Sequence, residues 1–451
     1  MVFRALPGFR DFYPSELAER AHIFAAWRDV ARRFGFQEYD GPPLEPLELY
    51  TAKSGEEIVG QLYDFEDKGG RAVALRPEMT PTLARMVGAR ANALAKPVRW
   101  FSIPQLFRYE RQQRGRLREH FQLNVDIVGE ADVSADAELL AVAIEVMRKL
   151  GLSAADVRAR ISDRRVLQAV LAASGVSPGQ MPVVFAIADK LQREPRDSVL
   201  AKLQEAGIGT HEAETVLEVL AIQDLEALRE RFSGDAAVIE AVDGLTTYTR
   251  YLQALGIGDF VQLDLSIVRG LAYYTGIVFE LFDARGEMRA ICGGGRYDDL
   301  LGALGGADLP ALGFGMGDVV LGELLRERGL LADLQERLDY WVAGVDGVPT
   351  ERVMCIATEL RRRGLRVEYA LRAQKLGPQM KAAAREGALK ICILQPEGSA
   401  QVRRLSDGAE QPVDLDAFLD HAEALHDPAR HAHVVDPHDP WMFDDEETAE
   451  T

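Results

Sequence analysis

The segment that most constrains this chain runs from Phe107 to Gly129, FRYERQQRGRLREHFQLNVDIVG, and reads as two strands joined by a loop. Five arginines (Arg108, Arg111, Arg114, Arg116 and Arg118) crowd it, and Gln112 and Gln113 sit in the loop. Side chains alternate across a strand, so Arg118, His120, Gln122, Asn124 and Asp126 share one face of the second run. Arg108 and Glu110 share a face of the first. Leu123, Val125 and Ile127 form the opposite, apolar face. A full face of charged and amide groups is costly to cover unless something polar is bound against it. A merely solvated face would need no such mixture of Arg, Gln and Asp. The pattern predicts a sheet packed on one side and holding a polar ligand on the other.

Composition narrows the class. A chain of 451 residues has room for two or three domains. Its 47% hydrophobic and 27% charged content is that of an ordinary globular protein, which excludes fibrous and wholly disordered readings. No apolar run reaches the roughly 18 residues of a membrane helix, so no membrane partner is expected. The N-terminus, MVFRALPGFRDF, lacks the apolar core and cleavage pattern of a secretory signal. Cys292, Cys355 and Cys392 have no CxxC spacing and read as reduced, buried thiols of a cytoplasmic protein. A net charge of −19 opposes nonspecific nucleic-acid binding, yet the arginines of the hairpin form a local basic patch.

Periodicity predicts a helix over 16–35 that stops at Gly35, and Pro42 and Pro43 then allow only a turn or edge strand. A short strand at Val73–Leu75 leads into a helix with Thr80 as cap and Pro81 in first position. Another helix is expected over Ala135–Leu150, then a helical insertion over about 160–256, with strands returning at Asp259. Character changes near Leu331–Leu338. Beyond it, alternating strands and helices predict a small α/β domain over 338–425. Residues 427–451 are acidic and rich in Asp and Pro, the composition of a disordered tail. Five histidines between His421 and His438 have no metal-site spacing.

Four constellations join the hairpin: Arg76-Pro77-Glu78-Met79-Thr80, IVRGLAYYTGIVFE from Ile267, CGGGRYDDL from Cys292 and LGFGMGDVVLGELL from Leu312. Singly, the glycine clusters signal only tight backbone geometry. In this order the five segments resemble histidyl-tRNA synthetase, a family of class II aminoacyl-tRNA synthetases, from Gly8 to about Leu419. FRYER with HFQLNVDIVG is similar to the second motif of the class. RGLAYYTG and GGGRYDDL look like the two segments peculiar to the histidine enzyme. The resemblance implies an α+β fold: an antiparallel-sheet catalytic core with a helical insertion in residues 1–330, then an anticodon-binding-type domain.

It also implies a reaction. Histidine's carboxylate attacks the α-phosphorus of ATP, and the acyl group then moves to the 3′ end of tRNA(His). Two anions must be brought together, so positioned cations are the main catalytic resource. By resemblance these are Arg108 on the α-phosphate, where a planar bidentate guanidinium suits phosphate, and Arg269 between substrate carboxylate and phosphate. Glu78, Thr80 and Gln122 take the ammonium group, while Asp126 and either Tyr273 or Tyr274, with Tyr274 favoured, frame the imidazole. Glu110, Arg118 and His120 complete the ATP site. Mg²⁺ is expected to accompany the nucleotide; its ligands are unassigned, with Glu110 or an acid such as Asp318 as candidates. Gln112, Gln113, Arg114 and Arg116 meet the acceptor stem, and Arg372, Lys375, Lys381 and Arg385 offer phosphate contacts in the C-terminal domain. A homodimer through the N-terminal helix and strand is implied.

The chain departs from the family pattern at four places. Asp126 stands where relatives often carry Glu, and Ala272 where RGLDYYTG has Asp. His120 replaces a phenylalanine and becomes the candidate for covering adenine. Val320 occupies the position of an ATP-clamping arginine, which leaves Arg118 or Arg296 to supply that charge. The missing arginine leaves two other readings open: a histidine-binding regulatory subunit of ATP phosphoribosyltransferase, and a catalytically dead RNA-binding relative. The basic loop, the helical insertion and the C-terminal domain favour the ligase, since a regulator has no use for tRNA contacts.

Overall fold

A computed structural model describes residues 3–51, 59–111, 113–188, 194–267, 274–304, 307–331 and 337–424. The chain divides into two compact units, Met1–Leu334 and Gln335–Thr451.

The first unit is built on a nine-stranded sheet. Its strands run Gln37–Glu38, Val98–Ser102, Glu119–Val128, Ala311–Gly317, Cys292–Arg296, Ile277–Asp283, Val157–Asp163 and Val261–Leu263 in spatial order, with Gln105–Phe107 paired beside Glu119–Val128. The two outermost pairings are parallel and the rest antiparallel. Register makes the two faces legible. Leu123, Val125 and Ile127 stand beside Met316, Phe314 and Leu312. All six are buried in one core with the Val133–Lys149 helix, whose inward side carries Leu139, Leu140, Ile144 and Met147. Asp132 caps that helix by accepting from Ser134 N at 2.8 Å.

The opposite face presents Gln122, Asn124 and Asp126 beside Gly317, Gly315 and Gly313, with Gly293 and Gly295 on the next strand. The face expected to hold a ligand is thus floored by glycine. Among the described residues, six helices between Arg164 and Ala254 follow the Val157–Asp163 strand, and the last, Ala236–Ala254, is capped by Asp235. A three-stranded sheet (Leu44–Pro46, Ala72–Leu75, Tyr63–Glu66) carries the chain into the Thr80–Arg90 helix. There Met79 is the residue before the first turn and Thr80 is already helical, so Thr80 does not serve as the cap. The N-terminal helix spans Pro14–Arg33, and Gly35 follows in the left-handed conformation at φ +77°.

The second unit is a five-stranded sheet, Val367–Tyr369, Tyr340–Gly344, Lys390–Leu394, Ala400–Arg404 and Glu410–Val413 in spatial order. Its first two pairings are parallel and the others antiparallel. Helices Thr350–Arg362 and Leu415–Ala424 cover one side and Leu376–Arg385 the other. Cys292 and Cys392 are buried free thiols, as expected, but Cys355 is exposed, because its position on the Thr350–Arg362 helix lies off the buried stripe of Val353, Ile356, Ala357 and Leu360. Among the described residues no helix is long and apolar enough to cross a membrane.

Candidate active site

The Thr80–Arg90 helix packs with Val278, Tyr274 and Tyr297 on the glycine-floored side, and the strand-to-helix turn at Arg76–Thr80 leads into it. Arg76 is buried and pairs with Asp40 at 2.7 Å while donating to Gly41 O and Gln105 O. That set of bonds fixes the turn, so Arg76 braces the site. Glu78 is buried beside it, and Thr80 begins the following helix. Arg108 lies past the end of the Gln105–Phe107 strand, because the chain turns back there: Glu110 N donates to Arg108 O at 2.8 Å. Neither Arg108 nor Glu110 sits on a strand, although the alternation had placed both there. The Arg108 backbone N–H still pairs across the hairpin with Arg118 O at 2.9 Å, and its side-chain Nε donates to Pro77 O at 2.9 Å. One hydrogen bond therefore ties this guanidinium to the Arg76–Thr80 turn, at the residue before Glu78. No carboxylate among the described residues pairs with Arg108.

Asp126 is buried at the far end of the face. The hydroxyl of Tyr297 donates to its Oδ1. Burial still pushes the carboxyl up to about 7, against the lowering effect of that hydrogen bond. A Cβ added at Gly313, the cross-strand neighbour, would collide with this carboxylate, and one added at Gly315 would come within 2.6 Å of Gln122 Nε2. Glycine is what lets Gln122 and Asp126 lie across the sheet surface. Tyr274 packs over Gly295 in one cluster with Tyr297, so Tyr274 belongs to this end of the face. Tyr297 was missed by the sequence reading. Its signal was present in the quoted GGGRYDDL motif, where period two sets it on the side of Gly293 and Gly295.

His120 alternates with Gln122 on the ligand face and is half-buried. Burial, aided by the nearby charges of Arg108 and Arg10, pushes its imidazole down to about 3, so it is neutral at ordinary pH. Arg118 lies on the hairpin stem, its guanidinium 4.2 Å from the centre of the Tyr109 ring and its Nε donating to Glu110 O at 3.3 Å. Glu110 pairs with Arg116 at 2.5 Å, and Arg114 reaches Glu327 at 2.5 Å and Glu323 at 3.4 Å on the Asp318–Glu327 helix. These ion pairs dock the loop. Gln113 is exposed on it. Gln112, Arg269 and Tyr273 lie outside the described residues.

Arg296 does not supply the missing ATP cation. It is buried on the other face of the sheet, paired with Asp136 at 2.5 Å and Asp298 at 3.3 Å, because register turns it away from Gly293 and Gly295. Asp318 is likewise committed to structure: it accepts from Phe121 N at 2.9 Å and pairs with Arg10 at 2.9 Å. Arg10 also binds Glu119 at 2.7 Å, so the PGFRD segment, which the sequence reading passed over, locks one end of the central strand. Among the described residues no three His, Cys, Asp or Glu side chains converge on a metal position.

Comparisons with known proteins identify the family. A match to the family described as histidyl-tRNA synthetase covers residues 8–317. A histidine–tRNA ligase of Opitutus terrae is 45% identical over 405 residues, 89% of this chain and 92% of that protein. The chloroplastic/mitochondrial histidine–tRNA ligase of Arabidopsis thaliana is 41% identical over 90% of this chain and 84% of its own length. A crystal structure of histidyl-tRNA synthetase from Nostoc sp. PCC 7120 superposes with a TM-score of 0.81 at 25% identity, covering 94% of this chain and 99% of that one. The chain belongs to the histidyl-tRNA synthetase family.

Proposed function

We propose that this chain is a histidine–tRNA ligase whose chemistry takes place on the glycine-floored face. A carboxylate oxygen of histidine attacks the α-phosphorus of ATP, the bond to the bridging oxygen breaks and pyrophosphate leaves. A ribose hydroxyl of the terminal nucleotide of tRNA(His) then attacks the acyl carbon, and AMP leaves with the bonding pair. The observation that carries the reading is the Arg108 Nε bond to Pro77 O, which fixes a cation for the α-phosphate beside Glu78, an acceptor for the ammonium group. An attack between two anions needs charge stabilisation at that junction, and a pre-aimed guanidinium supplies it without reorganisation.

In this reading Thr80 and Gln122 share the ammonium end, Asp126 with Tyr274 and Tyr297 frames the imidazole, and neutral His120 covers adenine. A site that hydrogen-bonds both ring nitrogens rejects isosteres lacking them, because its own buried groups would stay unpaired. The described side chains do not fit a protein-held metal, so Mg²⁺ enters as part of the substrate, on the phosphate oxygens of ATP. Arg269 is assigned the second contact to the reacting carboxylate. Gln112, Gln113, Arg114 and Arg116 are assigned to the acceptor end, and the exposed Arg372, Lys375, Lys381 and Arg385 to the anticodon arm. The half-exposed Leu17 and its neighbours on the Pro14–Arg33 helix support a homodimer, and the free thiols a cytoplasmic setting.

The test is histidine-dependent exchange of pyrophosphate into ATP, followed by charging of tRNA(His). Both activities are expected. A protein that binds histidine but performs neither would belong with the regulatory subunits instead. Replacing Arg269 by Ala is expected to abolish exchange without changing the melting temperature, and near-normal exchange would remove that residue from the mechanism.

A further inference from the structure

Asp126 is approached from one side by Tyr297 and Tyr274, which stand by the Cys292–Arg296 strand. The strand on its other side is Val98–Ser102, whose Trp100 and Ser102 are the register partners of Asp126 and Asn124. Directly paired residues of an antiparallel sheet project to the same face, so Ser102 stands on the ligand face beside Asn124. Tyr39 reaches the same place from the segment after the Gln37–Glu38 strand. Its backbone N–H donates to Phe101 O at 2.9 Å, and its ring centre lies 5.3 Å from that of Trp100. The adjoining Asp40 holds Arg76 of the strand-to-helix turn at 2.7 Å. The phenol is thereby pinned between turn and sheet, with its hydroxyl beside that of Ser102.

Ser102 is fully buried, and so is the hydroxyl of Tyr39. Burial first and the Asp126 carboxylate second push the phenol well above its ordinary range, against the pull of Ser102, so Tyr39 keeps its proton as a donor. Two hydroxyls carry two protons, and a bond between them would use only one. Among the described residues no partner completes either hydroxyl. An unmet buried hydroxyl is a standing cost to the free protein, and a bound polar group that supplies the acceptor removes it. We infer that Tyr39 and Ser102 are amino-acid-binding residues, whose spare O–H meets the bound histidine on the side of Asp126 away from Tyr274 and Tyr297. The inference rests on the reading of this face as the histidine site. A neutral imidazole carries one N–H and one lone-pair nitrogen, so a pocket that offers both a carboxylate and hydroxyl donors matches it.

The experiment uses the full chain and measures histidine binding by calorimetry, kcat and the KM values for histidine and ATP by pyrophosphate exchange, and the ligand-free melting temperature. Tyr39→Phe and Ser102→Ala are each expected to weaken histidine about 5- to 30-fold, as loss of one buried hydrogen bond should. The KM for ATP should stay within about twofold of wild type and kcat nearly unchanged, because the contact is kept from bound substrate to transition state. The double variant removes both hydroxyls and should melt, without ligand, at or above wild type, since no bond of the free fold is lost. Tyr248→Phe removes a hydroxyl buried in the opposite core and should leave histidine affinity within about twofold. Unchanged histidine affinity in either single variant, a double variant melting several degrees below wild type, or an equal loss in Tyr248→Phe would each overturn the assignment. Calorimetry separates the two readings: wild type that binds histidine without exchange, with binding weakened in both single variants, would sink the ligase and keep the pair.

Discussion

The two sheets of this molecule bury their side chains differently. The five-stranded sheet of the C-terminal unit is apolar on both faces, with Val342, Cys392 and Leu394 against two helices on one side and Trp341, Ala343, Ile391 and Ile393 against a third on the other. The nine-stranded sheet is apolar throughout one face, while the other carries only a smaller apolar cluster, Val98, Val128 and Val278 against the Thr80–Arg90 helix. There Gln122, Asn124 and Asp126 lie over five glycines. Stability in the small unit comes from both faces, and the residues proposed to contact tRNA, such as Arg372 and Lys381, are exposed. In the large unit the second face contributes less packing and keeps the buried polar groups Asn124 and Asp126 beside the glycine floor. The difference predicts which substitutions damage activity and which damage the fold.

The largest effect is expected at Arg108. Arg108→Ala should lower the exchange rate by about 10²- to 10³-fold, as removal of a preorganised charge contact does, while the thermal midpoint stays within a few degrees of wild type. A collapse of the fold instead would mean that the polar face is structural, and the contrast between the sheets would break. The reverse pattern is expected in the small unit. Ile391→Ala opens a cavity in a fully buried strand and should cost about 2–4 kcal/mol, read by chemical denaturation, with pyrophosphate exchange unaffected because exchange needs no tRNA.

A smaller effect sharpens the role of the glycine floor. Gly313→Ala introduces a methyl group against the Asp126 carboxylate and should raise the histidine KM about 10-fold. An unchanged KM would show that the imidazole lies elsewhere. The smallest effect is a pH slope. The Asp126 carboxyl titrates near 7 in the fold against an ordinary value of 3.8, so folding takes up a proton between those values. Stability contributed by the protonated group is full below about 4 and is lost as pH rises towards 7. Asp126→Asn should remove that slope, so its stability advantage over wild type should grow from pH 4 to 7 in denaturation curves. A constant difference would place Asp126 in a polar, solvated setting.

How far the sequence carried depends on the kind of interaction involved. Period two in HFQLNVDIVG separated the ligand face from the core face, because alternation is a local property of a strand. Register between strands is not local, so the packing of Gln122 and Asp126 over Gly315 and Gly313 could not be read. For the same reason Arg296 and Asp318 looked available for ATP and Mg²⁺, while their partners, Asp136 and Arg10, lie 160 and 308 residues away along the chain. Tyr297 was hidden in plain view within its motif. Val320 showed only what was missing from the family pattern.

The most direct test is a crystal structure of the chain with histidine and a non-hydrolysable ATP analogue. The imidazole is expected between Asp126, Tyr274 and Tyr297, with the α-phosphate on the Arg108 guanidinium. Ligands seated away from the Gly293–Gly295 and Gly313–Gly317 floor, or an Arg108 that makes no contact with the phosphate, would contradict the account.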